Sequence, residues 1–87
     1  MDFGAAIEAL KAGKKVTRKG WNGAGQYLYY VPEASYKRCT EAARDLADEN
    51  DMVKYHAYIA MKGVDGIVFP WTVCIGDVLE EDWEIVE

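Results

Sequence analysis

The chain has 87 residues, 51% hydrophobic and 13% aromatic, with a formal net charge of −5. That length points to one domain, residues 1–87, which buries only about 60–65% of the surface its unfolded chain exposes. So small a core leaves apolar surface over, and self-association is expected. The negative balance argues against nonspecific binding to long nucleic acids.

The charge is uneven. Residues 1–32 carry five positive and two negative side chains, and the five positives (Lys11, Lys14, Lys15, Arg18, Lys19) fall within nine residues. Residues 58–87 carry one positive and seven negative side chains. Such a protein can hold a small anion at its basic end while repelling polyanions. The longest apolar stretch, Ile67 to Ile75, is broken by Pro70 and falls far short of the roughly 18 residues that span a bilayer. No membrane partner is expected. Cys39 and Cys74 are far apart, and the start of the chain lacks the layout of a secretory signal, so both are expected as reduced thiols in a cytoplasm.

Asp2 is placed to cap a helix from Phe3 to about Ala12, with Phe3, Ala6, Ile7 and Leu10 on one stripe. Lysine in the last turn and Gly13 beyond it are stop signals. Val16 to Arg18 reads as a short strand. Gly20 to Gly25 reads as a turn, and Tyr27 to Val31 as a strand ended by Pro32. Residues 35–54 are rich in Ala, Glu, Asp and Arg, and weak periodicity at Ala42, Ala43, Leu46 and Ala47 predicts an inserted surface helix. Tyr58 to Met61 and Ile67 to Phe69 bracket a glycine-containing loop and predict a hairpin. Trp71 to Leu79 is a compact connection, and Asp82 to Val86 a closing strand with Trp83 in the core. The fold class is α+β: a small antiparallel sheet with an N-terminal helix and the inserted helix, assembling as a homo-oligomer.

Most catalytic constellations lack residues. There is one histidine, His56, and one serine, Ser35, without nucleophile-elbow glycines. One His and two scattered Cys do not make a zinc site. The run Glu80, Glu81, Asp82 and Glu84 reads as a solvated acidic edge. Gly20, Gly23 and Gly25 match neither the dinucleotide fingerprint nor a P-loop, and they lead into a strand rather than a helix N-terminus. No enzyme activity, metal or cofactor is expected.

What remains is aromatic surface beside polar groups. Trp21 follows Arg18-Lys19-Gly20 and precedes Asn22. A tryptophan in a glycine-rich turn either stacks on a base or plugs the end of a core or subunit contact. Arg18 is suited to pair with a phosphate, and Asn22 to donate and accept. Trp71 follows Pro70 at a strand end, with Thr72, Cys74 and Asp77 in the same connection. Asp77 is either a helix cap or an acceptor for ribose hydroxyls. Tyr27 and Tyr29 share one strand face, Leu28 and Tyr30 the other, so one pair is left as a platform or subunit contact.

The run from Asp2 to Val16, the turn Arg18-Lys19-Gly20-Trp21-Asn22-Gly23, the Val31-Pro32 strand end, Tyr58 to Lys62, Pro70-Trp71 and Asp77 to Glu84 together resemble phage anti-Thoeris sponge proteins of the second type. The resemblance covers 2–34 and 55–87 and skips 35–54. It implies a homotetramer in the cytoplasm of an infected bacterium that binds a cyclic ADP-ribose-type signal, glycocyclic ADP-ribose, and sequesters it without cleavage. Cyclic di- or trinucleotides are further ligands implied for such proteins. By the same likeness Trp21, Asn22, Trp71 and Thr72 contact the signal, with Arg18 and Asp77 as helpers; Tyr29, from its strand face, and Cys74, from its place in the connection, are further pocket candidates. Cys74 stands where the family often has an amide or hydroxyl, and a thiol is a weaker hydrogen-bond partner. Three other readings stay open: a protein-binding phage inhibitor of a host enzyme, a single-strand nucleic-acid module, and an enzyme that degrades the signal.

Overall fold

A computed structural model of the chain describes residues 1–21 and 24–87. Helix α1 (Phe3–Lys11) opens it. The Asp2 carboxylate accepts from the Ala5 amide at 2.8 Å, and the helix stops where Gly13 adopts φ +90°. A residue with a Cβ is strained in that left-handed region. The predicted cap and stop are therefore both in use.

Seven strands follow among the described residues: β1 (Lys15–Arg18), β2 (Tyr27–Val31), β3 (Ala34–Lys37), β4 (Met52–Tyr55), β5 (Tyr58–Lys62), β6 (Val68–Pro70) and β7 (Trp83–Val86). Five form one antiparallel sheet in the order β6-β5-β2-β1-β7. The one-turn helix α2 (Ile75–Val78) lies between β6 and β7. α1 packs on one face of this sheet, where Ala6, Ala9 and Leu10 meet Val16, Leu28, Met61 and Trp83. Burying each large apolar side chain stabilises the fold by about 1.5–3 kcal/mol. Strand alternation fixes the other face: because Leu28 is core, Tyr27 and Tyr29 point away from α1. Lys15 and Lys62 reach over the Tyr27 ring there, at 4.9 and 5.5 Å.

The predicted helix over 35–54 is not what forms. β3 and β4 pair as a two-stranded antiparallel sheet capped by a 3-10 helix, Glu41–Leu46. The hairpin continues β2 and β5 in the same register. Val31 faces Tyr58 and Ala34 faces Tyr55, so both strands skip two residues, Pro32-Glu33 and His56-Ala57. Pro32 has no N–H for the ladder and interrupts pairing without shifting it. The helix fails for a physical reason. Ala42, Ala43 and Ala47 offer little to bury, and Leu46 is 73% exposed. A short helix without a packed face does not hold in water. Tyr36, Val53 and Tyr55 gain more as strand residues, and the Tyr36 and Tyr55 rings meet at 5.9 Å. Arg38 closes the arm by donating to Asp51 at 2.7 Å and to Glu41 at 3.1 Å.

Candidate functional site

The end of the sheet where β1 leaves and β7 enters carries three tryptophans in mutual contact. Trp83 is the buried hub, 2% exposed. Trp21 meets it edge-on, with centroids 5.3 Å apart at 80°, and Trp71 does so at 6.1 Å and 82°. Trp21 and Trp71 lie 6.5 Å apart, and Phe3 of α1 backs Trp71 and Trp83 at 6.2 and 5.4 Å. Tilted and edge-to-face pairs suit the ring quadrupoles, each adding about 0.5–1.5 kcal/mol beyond area burial. Trp21 and Trp71 are only half-buried. Between them opens a recess of about 250 Å³ lined by Trp21, Gln26, Met61, Trp71 and Asp77.

A charged network sits beside the rings. Arg18 Nε donates to Asp82 Oδ1 at 2.7 Å and Nη2 to Asp82 Oδ2 at 3.3 Å, while Nη1 donates to Asp77 Oδ1. The same Asp77 oxygen accepts the Trp21 Nε1–H at 2.9 Å, and the Asp77 backbone carbonyl accepts the Trp83 Nε1–H at 3.0 Å. Asp82 Oδ2 also accepts the Gly20 amide at 2.8 Å. A Cβ on Gly20 would sit 2.8 Å from that oxygen and 2.9 Å from Arg18 Nη2, so a side chain there would push the Asp82–Arg18 pair aside. The hydrogen bonds from Arg18 hold the Asp82 carboxyl below its ordinary range, reinforced by the Gly20 amide and opposed by partial burial. Asp82 first, and then Asp77, raise the affinity of the guanidinium for its proton.

Four of the eight sequence candidates thus converge here: Arg18, Trp21, Trp71 and Asp77. Thr72 and Cys74 are exposed and lie off the recess, and Cys74 precedes α2 with its carbonyl accepting the Asp77 amide at 2.9 Å. Tyr29 is elsewhere, on the sheet face turned away from α1, with its ring 6.2 Å from Tyr27. Asn22 lies outside the described residues. The expected basic end is divided. Arg18 is tied to carboxylates, Lys15 covers Tyr27, and Lys11 lines a separate apolar hollow of about 320 Å³ that shares Trp71 with the recess. Gln26 and Met61 line the recess without having drawn notice in the sequence. Gln26 precedes a strand, Met61 sits within one, and no spacing links either to Trp21.

The chain matches the Thoeris anti-defense 2-like domain model over residues 1–86. It belongs to that family. It is also 33% identical over 86 residues to a Thoeris anti-defense 2 protein of Bacillus phage SP01, covering 99% of this chain and 94% of that relative. The match runs through the β3–β4 arm as well as the sheet, so the arm lies within the family domain. Among the described residues no helix is long and apolar enough to cross a membrane.

Proposed function

We infer that this protein is a phage anti-Thoeris protein that acts by binding and holding a cyclic ADP-ribose-type signal, glycocyclic ADP-ribose, in the recess between Trp21 and Trp71. Family membership supports the anti-Thoeris role. The observation that carries the ligand reading is two half-buried indoles flanking one recess with a carboxylate and a carboxamide in its lining. Ring faces stack on a base, while Gln26 and Asp77 suit hydroxyl and amino donors.

Stacking contributes about 1–3 kcal/mol per base, and submicromolar affinity needs more than about 8 kcal/mol. The recess, at about 250 Å³, falls below the roughly 300–1,000 Å³ usual for small-molecule pockets. A second copy completing the wall would supply both volume and contacts. That fits a homotetramer, whose subunits share the pocket, in the cytoplasm of the infected bacterium. The reading is of a sponge rather than an enzyme: Arg18, Asp77 and Asp82 are bound to one another, which suits holding a ligand better than transferring protons. Cyclic di- or trinucleotides would be further ligands of the assembly.

The test is calorimetry of wild type and Trp21→Ala with glycocyclic ADP-ribose, then heating of the complex and mass spectrometry of what is released. Tight wild-type binding, weakened in the variant, with intact ligand recovered, is expected. A cleaved product would overturn sequestration, and equal binding by both proteins would remove Trp21 from the pocket.

A further inference from the structure

Asp77 joins the charged network to the ring cluster. An indole has one polar atom, its N–H, which only donates. Asp77 takes two of the three: its carboxylate accepts from Trp21 and its backbone carbonyl from Trp83. The Trp21 N–H is therefore engaged within the chain, and a ligand meets that ring by its face or edge. Arg18 is engaged too. Nε and Nη2 point to Asp82 and Nη1 to Asp77, with a Glu80 oxygen 3.9 Å from Nη2. One positive charge faces three carboxylates, so a phosphate approaching Arg18 meets net negative charge. A neutral base meets no such barrier.

We propose that Asp77 is a positioning residue of the recess: it fixes the angle of the Trp21 ring and, with Asp82, withdraws Arg18 from phosphate. The recess then takes the uncharged base end of a nucleotide, and the phosphates remain outside it. This rests on the reading that the recess receives the nucleotide signal. Two features make Asp77 separable from the fold. Truncating its side chain leaves the backbone carbonyl that holds Trp83, and Arg18 keeps both its bonds to Asp82.

The experiment uses the full chain as wild type, Asp77→Ala and Asp77→Asn. Hydrogen exchange of the three indole N–H groups is followed by NMR without ligand, the signals being assigned through Trp→Phe variants. Asp77→Ala is expected to speed exchange at Trp21 about five- to tenfold, the loss of one hydrogen bond, and to leave Trp83 unchanged. Asp77→Asn keeps an acceptor oxygen and a similar shape, so it restores protection at Trp21 and serves even if the alanine variant folds poorly. Wild-type exchange at Trp21 in Asp77→Ala overturns the positioning role, as does loss of protection in a folded Asp77→Asn.

Adenosine and inorganic pyrophosphate are then added separately to each protein. In wild type, adenosine is expected to shift the Trp21 indole signal and pyrophosphate to leave both it and the Arg18 Nε signal in place. In Asp77→Asn, pyrophosphate begins to shift Arg18. A pyrophosphate shift at Arg18 in wild type overturns the withdrawal of Arg18. Silence from adenosine, with the exchange result intact, removes the nucleotide reading and leaves the positioning of Trp21 standing.

Discussion

Trp71→Ala tests whether the same indole serves both core and pocket. Trp71 touches Phe3, Trp21 and Trp83 and lines two hollows, yet it is only half-buried. Its backbone N–H donates to the Ile59 carbonyl at 2.9 Å, a bond that alanine preserves. The change therefore removes ring contacts and little else. Truncating a fully buried tryptophan costs about 3–5 kcal/mol, so half burial suggests about 2 kcal/mol. In a domain of this size that lowers Tm by about 8–16 °C. Loss of one stacking partner weakens ligand binding by about 1–3 kcal/mol, or roughly 5- to 150-fold. Trp71→Phe keeps a ring and should recover most of both. The assay is scanning calorimetry for Tm and titration with glycocyclic ADP-ribose well below the Tm of every variant. A protein that loses stability but binds like wild type refutes the stacking role. One that keeps its Tm refutes the packing role.

Three further outcomes are expected. Asp82 has its folded-state pKa depressed by Arg18, so its contribution to stability is present above the ordinary carboxylate value of 3.8 and is lost as pH falls through the lower folded value. Urea midpoints from pH 2.5 to 7 should decline below about pH 4, and Asp82→Asn should flatten that decline. Replacing residues 34–55 with a two-residue turn should leave the core of the five-stranded sheet intact, because β2 and β5 already face each other in register at Val31 and Tyr58. NMR shifts of Leu10, Leu28 and Trp83 that match wild type support this, and their collapse would show that the arm is needed for the fold. Gly13→Ala should cost about 1–2 kcal/mol, seen as a lower Tm, since the space around it is open and the penalty is the φ of +90° alone.

Elements with their own local signals were legible in the sequence. Asp2, the Phe3-Ala6-Ile7-Leu10 stripe and Gly13 specify α1 because cap, face and stop lie within twelve residues. The β strands of the main sheet follow from β-branched and aromatic runs bounded by Gly and Pro. The inserted segment was not legible. Its helix-favouring alanines compete with Tyr36, Val53 and Tyr55, and the outcome depends on a ladder already aligned by β2 and β5. The site divides in the same way. A tryptophan in a glycine turn marks Trp21 locally. Nothing local tells that Arg18 meets a carboxylate 59 residues away, or that Trp21 meets the same one 56 residues away. The face of Tyr29, by contrast, follows from alternation once Leu28 is placed in the core.

A chain of 87 residues has few large side chains to divide between folding and binding. Here the division runs through one cluster. Trp83 is buried and anchored by its N–H to a backbone carbonyl, and no part of it lines the recess. Trp21 and Trp71 meet it in edge-to-face geometry, stay half-buried and line the recess. That arrangement packs two half-buried indoles into the cluster before any ligand arrives, at small cost in conformational entropy on binding. On the proposed reading, a pair of rings packed in this way would lose little freedom when it takes up a ligand. The same economy leaves the recess half-walled. The proposed second copy would meet both needs, covering part of the apolar excess of the composition and completing the wall of the recess.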